Sequence, residues 1–205
     1  MKRSKDVAGD QLASPGVDDP MPDQAAYAAY LSLGFVVLPL WIAAGLADYL
    51  CHRADRISQT SGWRESVLHI LQLCLVGLPT ILALFFRPNA GFFLVALLCL
   101  LLHHATAYID VRYADATRKV EPREQMVHSF LEILPITALL LLAVPGWSQL
   151  LALFQQGDDR AQFAPELRIF NAGYTASILA AVFLLNVLPC GEELLRCLRA
   201  ASNKR

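Results

Sequence analysis

The sequence predicts an all-α integral membrane protein: a helical bundle with a four-helix up-down core and a fifth transmembrane helix. Three observations carry that expectation. Hydrophobic residues make up 56% of the 205, and charged residues only 17%, where average soluble domains carry about 25% charged. The apolar residues fall into five stretches, each near the roughly 20 residues that cross about 30 Å of hydrocarbon as a helix. The period-two alternation that a membrane β-barrel would need is absent.

Residues 1–26 are polar, with Pro15, Pro20 and Pro22 among several Asp and Gly, and are expected to form a disordered N-terminal tail. Lys2, Arg3 and Lys5 resemble the start of a signal peptide, but no apolar stretch follows directly, so cleavage is not expected. The transmembrane domain is expected over 27–191, with spans at 27–50, 66–86, 90–109, 129–147 and 170–188. Arg87-Pro88-Asn89 reads as a tight turn between the second and third spans. Pro122 suits a first helical turn, so the fourth helix is expected to start near it in water and to enter the membrane near Phe130. Residues 148–156 are amphipathic and suit a surface position. Pro79 and Pro135 should kink their helices, and Asn186 should hydrogen-bond between helices. Residues 192–205 read as a cytoplasmic C-terminal tail. The five cysteines form no CxxC pair and read as small buried hydrophobes.

Net charge is −1, which gives no basic field for nucleic acid. The placement of the basic residues sets an expected orientation. Arg53, Arg56 and Arg64 follow the first span, Arg112, Arg118, Lys119 and Arg123 follow the third, and Arg196, Arg199, Lys204 and Arg205 follow the fifth, eleven in all. The other side holds six, of which Lys2, Arg3 and Lys5 lie far from the first span. By the positive-inside rule the N-terminus is outside and the two polar links are cytoplasmic, as in a bacterial inner-membrane protein. Arg64, Arg112 and Arg123 are additional candidates for pairing with carboxylates.

Ionisable residues are costly inside spans, about 2.5–3.5 kcal/mol each on insertion scales, yet here they are grouped. Asp48 and His52 end the first span, Glu65 and His69 begin the second, His103 and Asp110 end the third, and Glu124, His128 and Glu132 begin the fourth. Asp48/His52, Glu65/His69 and His128/Glu132 are i,i+4 pairs, one turn apart on one helix face. Glu124 extends the last stripe by a turn, and His103 and Asp110 share a face two turns apart, with His104 turned away. In an up-down bundle these four ends meet on the side that holds the eleven basic residues.

Imidazole and carboxylate together suit iron, manganese or zinc. All nine residues are therefore candidate ligands of two metal ions, iron first, in the manner of carboxylate-bridged helical bundles. The arrangement resembles the di-iron carboxylate bundles of the ferritin-like class, although those use ExxH at i,i+3. It also resembles membrane fatty acid desaturases and hydroxylases in its His-rich cytoplasmic face, but lacks their HxxxH and HxxHH boxes. The segments ADYLCHR, SGWRESVLH, HHATAYIDVRYA and EQMVHSFLE look similar to an uncharacterised group of small bacterial multi-pass membrane proteins, over about residues 27–147. That resemblance implies no activity.

The leading expectation is an oxidoreductase acting on a lipid, a quinone or another hydrophobic small molecule. Zinc-dependent membrane hydrolysis is the alternative, with metal-bound water as nucleophile and a Glu as base. A non-catalytic protein whose polar cluster fixes the bundle is the structural alternative. Haem is disfavoured by the accompanying carboxylates. A transport path is disfavoured by outer helix halves rich in Leu, Val, Phe and Ala.

Overall fold

The computed structural model describes residues 22–167 and 171–203. The architecture is all-α, with five helices long and apolar enough to cross a membrane: α1 (Gln24–Ala54), α2 (Trp63–Phe85), α3 (Ala90–Thr117), α4 (Pro122–Ala143) and, after the short α5 (Trp147–Leu153), α6 (Ala172–Ser202). This is a multi-pass membrane-type bundle. Leu71, Leu78, Leu98, Leu101 and Leu140 point outward while Glu65, His52 and Glu124 are buried, the inverse of a soluble fold.

Helix boundaries follow local chemistry. Asn89 caps α3, its Oδ1 accepting from the Phe92 N–H at 2.9 Å, and Arg87-Pro88-Asn89 joins α2 to α3 with extended backbone at Phe86 and Asn89 rather than a hydrogen-bonded turn. Pro122 opens α4. Gly62 precedes α2 at φ 73°, a backbone conformation that favours glycine. The 3₁₀ turn Ile57–Gln59 buries Ile57 completely. The expected N-terminal tail overlaps a helix that starts at Pro22, whose missing N–H costs nothing in a first turn. Residues 1–21 lie outside the described residues.

α1 and α6 each contain a π-helical turn, Leu33–Val37 and Phe183–Val187, immediately before a Leu-Pro pair. The Leu38 N–H bonds the Leu33 carbonyl, five residues back. Pro39 has no N–H, so the Gly34 carbonyl loses its helical donor. The Tyr174 hydroxyl of α6 donates to it instead, at 2.5 Å. Lower on the same contact Asn186 Nδ2 donates to the Ile42 carbonyl at 3.1 Å, the interhelical bond that Asn186 was expected to make. Gly45 allows the approach, because a Cβ there would stand 2.8 Å from Asn186 Nδ2.

The helices pack in the cyclic order α1, α4, α3, α2, α6 and back to α1. α6 therefore joins the bundle by inserting between α1 and α2. Its helix continues to Ser202, so most of the stretch 192–205 is helical. The stretch 188–202 keeps an amphipathic helical pattern and packs one face on α2 and α1. An apolar core fills one half of the bundle's length, with Leu33, Val37, Phe93, Leu134, Leu142 and Ile178 at its centre. The other half holds the polar groups. A cavity of about 610 Å³ runs between the two.

Candidate metal centre

The site is assembled from one end of all five spanning helices. α1 supplies Asp48 and His52, α2 supplies Glu65 and His69, α3 supplies Asp110, α4 supplies Glu124 and His128, and α6 supplies Glu193. The i,i+4 spacings DxxxH on α1 and ExxxH on α4 place each pair on the inward face.

Three donor atoms, from Asp48, His52 and His128, form a compact set, with Glu124 Oε1 beside it. His52 Nε2 lies 3.5 Å from Asp48 Oδ1 and 3.4 Å from Glu124 Oε1. His128 Nε2 lies 3.0 Å from Asp48 Oδ1 and 4.0 Å from Glu124 Oε1. Donors bound tetrahedrally to one cation at about 2.1 Å stand roughly 3.4 Å apart, so these separations match a shared ion. A second pair stands beside it, with His69 Nε2 3.3 Å from Asp110 Oδ2. Gln72 Nε2 donates to the same Asp110 oxygen at 3.1 Å.

Glu193 links the two groups. Its Oε2 faces His52 Nδ1 at 3.2 Å and its Oε1 faces His69 Nδ1 at 2.8 Å. A carboxylate only accepts, so both Nδ1 atoms carry a proton, and in the neutral form of each ring Nε2 presents a lone pair. The same two Nε2 atoms, with Asp48 Oδ1, are buried and make no hydrogen bond. Bare lone pairs facing carboxylate oxygens repel unless a proton or a metal cation lies between them. A carboxylate behind the far nitrogen of a histidine is also the usual support of a metal-bound imidazole.

Charge points the same way. Asp48, Glu65, Asp110, Glu124 and Glu193 are at most 13% exposed, and Arg118, at 4%, is the one comparably buried guanidinium among the described residues. Two divalent cations would cancel the four remaining negative charges. Protonating His52, His69 and His128 would cancel three. His52 and His69, however, stack at 4.2 Å with their planes 9° apart, a separation at which two imidazolium charges oppose each other directly.

Arg118 follows the last turn of α3 and clamps two carboxylates from different helices. Its guanidinium bonds Glu65 at 2.5 Å through Nη2, and bonds Glu124 through both Nη1 and Nη2. Burial alone would lower the Arg118 pKa, but the hydrogen bonds and charges of Glu124 and Glu65 outweigh it and raise the pKa above the ordinary arginine value. Arg123, half-exposed, pairs with Asp55 at 2.5 Å. Arg64 and Arg112 lie over Trp63 and Tyr108, each 5.8 Å from the ring centroid, rather than on carboxylates of the cluster.

Of the nine residues expected from the sequence, the structure brings together Asp48, His52, Glu65, His69, Asp110, Glu124 and His128. His103 is buried but stands apart, on the wall of the 610 Å³ cavity. Glu132 also lines that cavity and makes no ion pair with the cluster among the described residues. One turn separates it from His128 on the side away from Glu124. His104 turns away, its Nδ1 on the Leu100 carbonyl at 2.9 Å. Sequence reasoning missed Glu193 and Arg118. A signal for Glu193 existed: Asn186, Cys190, Glu193 and Cys197 recur at spacings of four, three and four, one helical face.

Comparison of the chain with protein-family models, curated proteins and solved structures gives no significant match.

Proposed function

We propose that this protein is a membrane metalloenzyme, with two metal ions held among the buried histidines and carboxylates and used for oxidoreductase chemistry on a hydrophobic small molecule. One ion takes Asp48, His52, Glu124 and His128. The second takes His69 and Asp110, with Glu65 as a further candidate. The observation that carries the reading is the compact donor set of Asp48, His52 and His128, with Glu124 Oε1 3.4 and 4.0 Å from the two imidazoles.

Nitrogen and oxygen donors without thiolate suit iron, with manganese or zinc as alternatives. When bound, a pair of irons would supply the redox change. The chain's own residues hold and orient it. Glu193 accepts from His52 and His69, Arg118 holds Glu65 and Glu124, and the 610 Å³ cavity gives a hydrophobic molecule access to Asp48, His69, Asp110 and His128. The excess of arginine and lysine at the site end supports a bacterial inner-membrane position with the N-terminus outside and the site facing the cytoplasm.

The test is elemental analysis of the protein purified in detergent, beside His52→Ala and His128→Ala. Near two iron atoms per chain are expected in the parent, with at least one lost in each variant. Zinc in place of iron turns the reading to hydrolysis. Trace metal, equal in all three proteins, overturns both and leaves a structural polar cluster.

A further inference from the structure

The large cavity has a chemistry of its own. Its body is apolar, walled by Leu73, Val76, Leu84, Ile178 and Val182 among others, and one end reaches Asp48, His69, His103, Asp110, His128 and Glu132. Its volume of about 610 Å³ falls in the range of ordinary small-molecule sites, roughly 300–1,000 Å³. Every charged group on its wall with a fixed sign is a carboxylate, and neither lysine nor arginine lines it among the described residues. On this wall a fatty carboxylate or a lipid phosphate would meet three carboxylates and no lysine or arginine to pair with it.

His103 is the feature that points to a ligand. It is 3% exposed and lines the cavity, and neither Nδ1 nor Nε2 has a hydrogen-bond partner. The carbonyls of Gln72 and Leu131 lie near it but outside hydrogen-bond geometry. A neutral imidazole offers one donor and one acceptor. A hydroxyl needs that complement, since it both donates and accepts. Leaving both nitrogens unpaired in an apolar wall costs free energy that such a partner would return.

We infer that the cavity binds a neutral, hydroxyl-bearing hydrophobic molecule drawn from the bilayer, its chain or ring system in the apolar body and its hydroxyl on His103. A long-chain alcohol and a hydroquinone share this chemistry. The inference deepens the proposed activity by naming its substrate class, and it rests on that reading only for the ligand's role as substrate. Binding itself depends on the cavity and His103.

The experiment measures retention of tritiated 1-dodecanol, dodecane, laurate, dodecylamine and a decyl-substituted hydroquinone by the full chain in phosphatidylcholine nanodiscs. The alcohol or the hydroquinone should bind about tenfold more tightly than laurate, the size of one good hydrogen bond together with a rejected charge. Preference for the hydroquinone over the alcohol identifies a ring ligand, and the reverse a chain. His103→Leu should weaken the hydroxyl ligands about tenfold and leave dodecane unchanged, a split that simple loss of structure would not give. Gly77→Phe is the second variant. Gly77 lines the cavity, and an added Cβ there meets no atom within 4 Å, so the ring should occlude the site and weaken all ligands while the fold melts as before. Laurate or dodecylamine binding as tightly as the alcohol, or an unchanged preference in His103→Leu, overturns the inference. Metal is measured in the same samples. Metal without hydroxyl selectivity sinks this inference alone, and selectivity without metal sinks the redox reading alone.

Discussion

His52 and His69, seventeen residues apart on different helices, stack face to face at 4.2 Å with Glu193 spanning their two Nδ1 atoms. One carboxylate from the last helix thus sets the direction of two imidazole lone pairs on the first two spanning helices. The pairing explains why α6 inserts between α1 and α2: that position puts Glu193 within reach of both rings.

Replacing Glu193 should therefore act on metal affinity through the histidines. In Glu193→Gln the side chain keeps its shape, but one of its two ends becomes a donor facing an N–H. Metal affinity should fall about 10- to 100-fold, the usual effect of losing such a support. Competition with a chromophoric chelator measures it, and unchanged affinity would show that Glu193 does not orient the rings.

The two acidic residues flanking His128 should differ sharply. Asp48→Asn or Glu124→Gln removes a donor from the compact set or from beside it and should lower metal content by about one ion per chain. Glu132→Gln, on the cavity wall, should leave it unchanged. Elemental analysis of the three variants decides between the observed geometry and the i,i+4 pairing of His128 with Glu132.

Arg118 and Arg123 both bond carboxylates, but only Arg118 is buried, at 4% exposed against 57%. Arg118→Met leaves Glu65 and Glu124 without their cation and should cost about 3–5 kcal/mol, as for other broken buried pairs. Arg123→Met removes an exposed pair and should cost less than about 1 kcal/mol. Thermal melts in detergent compare them, and equal losses would refute the clamp.

Acid should release the metal, while the Arg118 clamp stays charged. The Arg118 pKa is raised, so its contribution is fully present below the unfolded arginine value and is lost only as pH rises through the still higher folded value. It does not vary between pH 4 and 9 on that account. Metal ligation by these groups would vary, because protons compete for imidazole and carboxylate donors. Metal content after dialysis should stay constant above about pH 7 and decline as pH falls through about 6 toward 4. Full retention at pH 4 would contradict ligation by these groups.

Gly45 and Asn186 should behave as a coupled pair. Gly45→Ala drives a Cβ to 2.8 Å from Asn186 Nδ2 and should destabilise by about 1–3 kcal/mol, as overpacking does. In an Asn186→Ala background the same change should cost much less, because the obstructing amide is gone. A double-mutant cycle with strictly additive melting shifts would argue against this crossing.

The sequence by itself determined the class of the protein and the end of the bundle that holds its chemistry. Hydropathy over about 20 residues is a local property, and so is the i,i+4 spacing that put Asp48 with His52 and Glu65 with His69 on single faces. Counting span ends then brought those groups to one side. Tertiary structure alone decided which faces meet. It chose Glu124 over Glu132 as the partner of His128, set His103 on the cavity wall, turned Arg118 inward, and brought Glu193 from an apparent tail between two histidines. The physical reason is that each residue turns a helix by about 100°, so a small rotation exchanges inward and outward neighbours. That rotation is fixed by the cyclic packing order and by contacts such as Tyr174 with Gly34 and Asn186 with Ile42, which join residues more than a hundred positions apart.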